Sequence, residues 1–160
     1  MKKNLLFFLI LIAICIHGKG SFVDANPAIV EEVKLEKEKV MIEVLFKQRS
    51  KLWNNLYNKN MEKDQWMEQL KNIVREPLLS FDIEAFEEAC EYPTDMDKVL
   101  DLKIIDIENI IYNGNVMEAT TKICWTMQGL TAKYEEEIDY RVVLKEENNQ
   151  WKIADYTICE

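Results

Sequence analysis

The sequence predicts an α+β fold, with N-terminal helices packed on a curved, four-stranded antiparallel meander sheet. Three observations lead there. Apolar residues recur at helical spacing up to about residue 90, they alternate with polar residues from about residue 99 onward, and short polar punctuations divide the alternating part into four runs. Helices followed by long strands with one apolar side make a stable layer structure when the helices cover that side.

The first element runs from Pro27 to about Tyr57 without Gly or internal Pro, with Ile29, Val33, Val40, Val44, Leu52 and Leu56 as its expected buried stripe. Asn26 caps it and Pro27 fits the first turn. Charged residues of both signs, Glu31 to Lys39, make a solvated face, and the stripe is not a sustained heptad seam. Asn58-Lys59-Asn60 breaks this helix. A second helix from about Lys63 to Arg75 carries Trp66, Leu70, Ile73 and Val74 and is stopped by Pro77. A short third one, from about Ile83 to Cys90, follows Ser80-Phe81-Asp82, presents Ile83, Phe86 and Ala89-Cys90 to the core, and ends at Tyr92-Pro93-Thr94.

The first strand, about Val99 to Tyr112, ends at Asn113-Gly114-Asn115, where the Asn-Gly pair suits a tight hairpin with positive φ. The second, about Val116 to Gly129, puts Met117, Ala119, Thr121, Ile123, Trp125 and Met127 on one face. The third, about Tyr134 to Lys145, turns Ile138, Tyr140, Val142 and Leu144 inward and Glu135, Glu137, Asp139 and Arg141 outward. Glu146-Glu147-Asn148-Asn149 is the next turn. The last strand starts at Gln150 or Trp151, and the run Ile153, Ala154, Tyr156, Ile158 predicts a bulge midway.

Ahead of these elements, Met1-Lys2-Lys3-Asn4 followed by the uncharged, mostly apolar run Leu5–Ile16 reads as a secretory leader. Polar His17 to Gly20 stop the run short of the roughly 20 apolar residues that a membrane span needs. Val23-Asp24-Ala25 is a pattern that a signal peptidase accepts, which gives a signal peptide over 1–25 with cleavage after Ala25. An uncleaved, membrane-anchoring leader is the alternative. Ile14 before Cys15 argues against lipidation, because that step tolerates bulk poorly there. Removing 1–25 takes Lys2, Lys3, Lys19 and Asp24 from the 20 basic and 29 acidic side chains, leaving 17 and 28 and a net charge of about −11. Nucleic acid is therefore not expected as a ligand, nor is an anionic lipid surface, and no membrane insertion is expected once the signal is gone.

Several chemistries are excluded. The sole histidine, His17, lies in the leader, so Ser–His–Asp and Cys–His sites, His-ligated zinc and a histidine base have no residue to use. Asp95-Met96-Asp97 and Asp101 suggest a calcium loop only faintly, because Val99 and Leu100 stand where an oxygen ligand and Gly are needed. The mature glycines, Gly114 and Gly129, form no phosphate loop. Cys90, Cys124 and Cys159 are odd in number, so small buried thiols, a structural disulfide and pairing between chains all stay open.

The order helix, helix, short helix, strand–NGN–strand–loop–strand–"EENNQWKI"–strand resembles the NTF2-like (cystatin-like cone) superfamily, particularly its small exported bacterial members. "NNQWKIADY" is similar to the final strand of that group. The resemblance covers roughly Val44 to Cys159. It implies an NTF2-like domain over 44–160, a first helix over 26–57 that serves partly as a spacer, and a final strand lying within the sheet. In a meander, the second and fourth strands are too far apart for Cys124 to bridge Cys159.

Such cones serve as enzymes, carriers, dimerising factors and envelope scaffolds. The favoured expectation is an extracytoplasmic, non-catalytic module of a bacterial cell envelope that binds a protein partner or its own copy. Its outer sheet face would carry Thr120, Lys122, Thr126, Glu137 and Arg141. The alternative is a small pocket enzyme or carrier for an apolar molecule, with Trp125, Tyr140 and Trp151 lining the pocket and Asp139, Tyr140, Asp155 and Tyr156 as the available base and donor groups. A third reading is an inhibitor-like or immunity protein whose acidity meets a basic partner. No catalytic set, metal site or cofactor is expected.

Overall fold

The computed structural model describes residues 27–56, 61–92 and 97–159. The chain divides after Glu32, the second part forming one compact unit, and of the part before it only 27–32 are described, as the start of a helix. The leader, the Asn58-Lys59-Asn60 break and Pro93-Thr94 lie outside the described residues.

Three helices, α1 (Pro27–Leu56), α2 (Lys63–Ile73) and α3 (Leu78–Glu91), precede four strands, β1 (Lys98–Asn113), β2 (Val116–Gln128), β3 (Lys133–Glu147) and β4 (Gln150–Ile158). The strands form one antiparallel sheet in the order β1-β2-β3-β4, and the helices pack on one of its faces. The fold is α+β. The alternation read from β2 and β3 is the observed one: Met117, Ala119, Thr121 and Ile123, opposite Tyr140, Val142 and Leu144, are buried.

Both hairpins follow their turn residues. The β1–β2 turn is Gly114-Asn115 rather than the expected Asn113-Gly114 pair, because Asn113 pairs with Val116 and Gly114, at φ 62°, takes the position where a type II′ turn places glycine. Asn148 and Asn149 both have positive φ, 53° and 60°, as a type I′ turn requires. The expected bulge in β4 is Ala154: Ile153 pairs with Leu144 and Asp155 with Val143, so Ile153 and Ala154 are both buried.

The helix faces depart from the pattern. On α1 the buried side chains are Ile42, Leu45, Phe46, Leu52 and Leu56, together with Glu38 and Ser50, whereas Val33, Val40 and Val44 face outward and are 65%, 52% and 45% exposed. Two apolar stripes run along this helix, and the one with the longer side chains fills the interior, Phe46 reaching both Trp125 and Tyr156. α3 begins at Leu78, five residues earlier than its pattern indicates, because Pro77 starts it and Leu78, Asp82, Phe86 and Ala89 form its buried stripe. Asp82 is thus inside the helix and inside the protein, and Cys90 is exposed. α2 stops at Ile73, after which Val74 extends and bridges Ile153 in parallel.

Neither outer strand is simply open. β4 is an edge strand rather than an interior one, and at Ile153 its free side is taken up by Val74 and by the Arg75 N–H, which donates to the Ile153 carbonyl at 2.8 Å. β1 is broken by three register shifts, with Asn109 at φ 53° in the last of them. Polar side chains of α1 satisfy the backbone groups this leaves. Asn54 accepts from the Val99 N–H at 3.1 Å and donates to the Val99 carbonyl at 2.6 Å. Trp53 Nε1 donates to the Asp97 carbonyl, and Glu43 Oε2 accepts from the Ile104 N–H at 3.0 Å.

Asn54→Ala is expected to cost about 1–3 kcal/mol in denaturant unfolding, because it strands a part-buried N–H and C=O together. Glu43 adds a pH dependence. Burial alone would raise its pKa, but the Lys47 ammonium and the Ile104 N–H outweigh this and hold it below the ordinary 4.5. Its contribution is therefore fully present above pH 4.5 and is lost as the pH falls through the lowered folded value. Glu43→Gln, which keeps an acceptor for Ile104, should flatten the acid limb of the stability–pH curve.

Candidate functional site

Two constellations lie on opposite faces of the sheet. Under the helices, Trp125, Tyr140 and Tyr156 project from β2, β3 and β4 towards Phe46 of α1, with successive rings meeting edge to face: Trp125–Tyr140 at 6.4 Å, Tyr140–Tyr156 at 5.6 Å and Phe46–Tyr156 at 5.3 Å. Arg49, one turn after Phe46, lies over the Tyr156 ring at 5.4 Å and grips Asp82 of α3 through both guanidinium edges, Nε to Oδ2 at 2.7 Å and Nη2 to Oδ1 at 2.5 Å. Burial opposes the guanidinium charge, yet the bonds to Asp82 outweigh it and raise the Arg49 pKa further. Tyr140 is also held above its ordinary value, by burial first and then by the nearby Tyr156. Among the described residues the buried Trp125 Nε1 meets no acceptor in good hydrogen-bonding geometry, with the Tyr140 hydroxyl near it.

Trp125 and Tyr140, expected to share a ligand pocket, do come together, but Trp151 does not join them. It lies at the far end of the inner face against Tyr112, ring centroids 6.1 Å apart. There the Tyr112 hydroxyl donates to the buried Glu38 at 2.6 Å, and burial and that carboxylate raise the tyrosine pKa well beyond its usual range. Lys34 sits 4.7 Å over the same ring. Trp151 also lines an open hollow of about 670 Å³ with Met41, Val44, Leu45 and Gln48. Neither Trp125 nor Tyr140 lines that hollow.

The four groups considered for acid–base work are split by the sheet. Tyr140 and Tyr156 point inward, while Asp139 and Asp155 occupy outward positions, because the bulge at Ala154 precedes both members of the Asp155-Tyr156 pair and leaves their alternation intact. Besides Glu38, the carboxylate that enters the interior is Asp82, with both oxygens engaged by Arg49. Arg49 and Asp82 were not singled out from sequence. The available signal was a charge placed at helical spacing from a buried aromatic, Arg49 three residues after Phe46 and Asp82 four before Phe86.

On the other face, the five residues expected to form an interaction surface lie together on β2 and β3. Arg141 makes a two-pronged pair with Glu118, 2.5 and 2.7 Å, Lys122 binds Asp139 at 2.9 Å, and the Thr126 hydroxyl donates to Glu135 at 3.3 Å. Thr120 stands opposite Arg141 and Glu137 opposite Cys124. Asp106, Glu108, Thr120, Lys122, Asp139 and Cys159 surround a shallow hollow of about 360 Å³. Asp97 and Asp101, the described acids of the faint calcium-loop pattern, accept from the Tyr134 hydroxyl and the Leu102 N–H. Among the described residues no helix is long and apolar enough to cross a membrane.

No protein-family model matches this chain, and no curated protein does. Among solved structures it is similar to the intermembrane space region of the chloroplast protein ARC6, at 14% identity and a TM-score of 0.41, over 72% of this chain and 95% of that one.

Arg49→Met should destabilise the protein by about 3–5 kcal/mol, since it leaves a carboxylate buried without its partner. Arg49→Met with Asp82→Leu should recover most of that loss in the same unfolding measurement, because the second change removes the stranded charge.

Proposed function

We propose that this chain is an extracytoplasmic, non-catalytic protein-binding or scaffold module of a bacterial envelope, built on an NTF2-like cone. The observation that carries the reading is the contrast between the two faces of the sheet. The inner face is filled by interlocking aromatic rings and a closed Arg49–Asp82 pair. The outer face bears ordered cross-strand charge pairs that no helix covers among the described residues. Exposed ion pairs contribute little to stability, so their arrangement on one uncovered face fits recognition better than folding. The apolar run Leu5–Ile16 and the Val23-Asp24-Ala25 pattern support export, and the acidity of the mature chain favours a protein partner over nucleic acid or anionic lipid.

Lys122→Gln with Arg141→Gln tests the reading. The pair should leave the unfolding midpoint nearly unchanged while lowering, by about tenfold or more, either self-association in sedimentation or recovery of a partner cross-linked in intact envelopes. Unaltered self-association together with unaltered partner recovery would refute an outer-face interaction. The exported chain should begin at Asn26 by intact mass.

A further inference from the structure

One stretch of the β3 edge makes no backbone hydrogen bond on its outer side among the described residues. β3 is fifteen residues long and β4 nine, and the type I′ turn fixes their register, so β4 pairs with β3 only from Glu147 back to Tyr140. The Cys159 N–H extends this by one bond to the Asp139 carbonyl, 2.8 Å. Residues 133–137 continue beyond it, paired with β2 on one side only and exposed throughout. Backbone direction alternates along a strand, so the N–H and C=O groups of Glu135 and Glu137 point, like those of Asp139, into the space beyond the end of β4. The other edges are covered in part: Asn54 and Glu43 bond β1 at Val99 and Ile104, Trp53 bonds Asp97 just before it, and Val74 and Arg75 cover β4 at Ile153.

We infer that this free stretch of β3 accepts an extended, lysine- or arginine-bearing segment of a partner protein as an added strand, lying in line with β4. The backbone groups supply the pairing and the side chains choose the occupant. Glu135, Glu136 and Glu137 are consecutive, so both faces of an added strand meet carboxylates, and neither Glu136 nor Glu137 has an ion-pair partner among the described residues. A second copy of this chain is a poor occupant. Antiparallel pairing of two such edges about Glu136 sets Glu135 of each copy directly against Glu137 of the other, and like charges in that position repel. This recognition shares Glu137 with the outer face but uses the backbone edge rather than Lys122 or Arg141, so variants at those two positions test the outer-face reading separately.

The test uses the full chain with two probes, an octapeptide of alternating lysine and valine and its glutamate–valine counterpart. The basic peptide should bind, more weakly as salt is added, and should slow amide exchange at Glu135 and Glu137 by about tenfold or more. Glu137→Pro removes an outward N–H at an edge position where proline is tolerated, and should abolish that binding. Glu136→Lys with Glu137→Lys should move the preference to the acidic peptide and keeps the question decidable if the proline variant misfolds. Equal binding of both peptides, absence of protection at Glu135 and Glu137, or undiminished binding to a folded Glu137→Pro variant would each overturn the inference. Protection of these amides by self-association without peptide would overturn it in favour of a second copy.

Discussion

The Arg49–Asp82 pair is the constraint on which the interior depends. It ties α1 to α3 above the sheet, and a planar guanidinium meeting a carboxylate through two bonds fixes orientation as well as distance. Its other surface rests on Tyr156, which contacts Tyr140 and Phe46, so the charge is held in place by the rings that fill the sheet's covered face. A buried pair of this kind adds little net stability, but it does not tolerate slippage, because either partner alone is costly. The helix register that places Phe46 between Trp125 and Tyr156 is also the register that brings Arg49 to Asp82.

A second constraint is the satisfaction of sheet edges. β1 bulges three times and so offers irregular backbone groups that no strand could pair in sequence. Side chains of a helix can match such irregularity one group at a time, and Asn54, with both an acceptor and a donor, does so for Val99. The polar residues along this side of α1 therefore belong to the sheet as much as to the helix. Glu43 illustrates it, bonded to Lys47 on its own helix and to the Ile104 N–H across the interface.

Legibility from sequence followed how local each feature is. The faces of β2 and β3, both hairpin turns and the β4 bulge are written in neighbouring residues: strict alternation, Gly114, Asn148-Asn149, and the adjacent apolar Ile153-Ala154. The outer-face residues came with them, since a strand's period of two assigns both faces at once. The aromatic grouping was legible only in part. Trp125, Tyr140 and Trp151 share a face by periodicity, but their separation along the strands is set by pairing register, which sends Trp151 to Tyr112 instead. The overhang of β3 was implicit in two strand lengths and one turn, yet it has meaning only once nothing is found beside it.

By itself, then, the sequence determined the fold class and the strand faces and confined histidine to position 17, because these rest on composition and on periods a few residues long. Tertiary structure decided which of two apolar stripes on α1 is buried, why Asp82 lies inside α3, and which stretch of sheet edge stays open. Each of these depends on a partner distant in sequence: Phe46 needs Trp125, Asp82 needs Arg49, and an edge is free only relative to the segments that could have covered it.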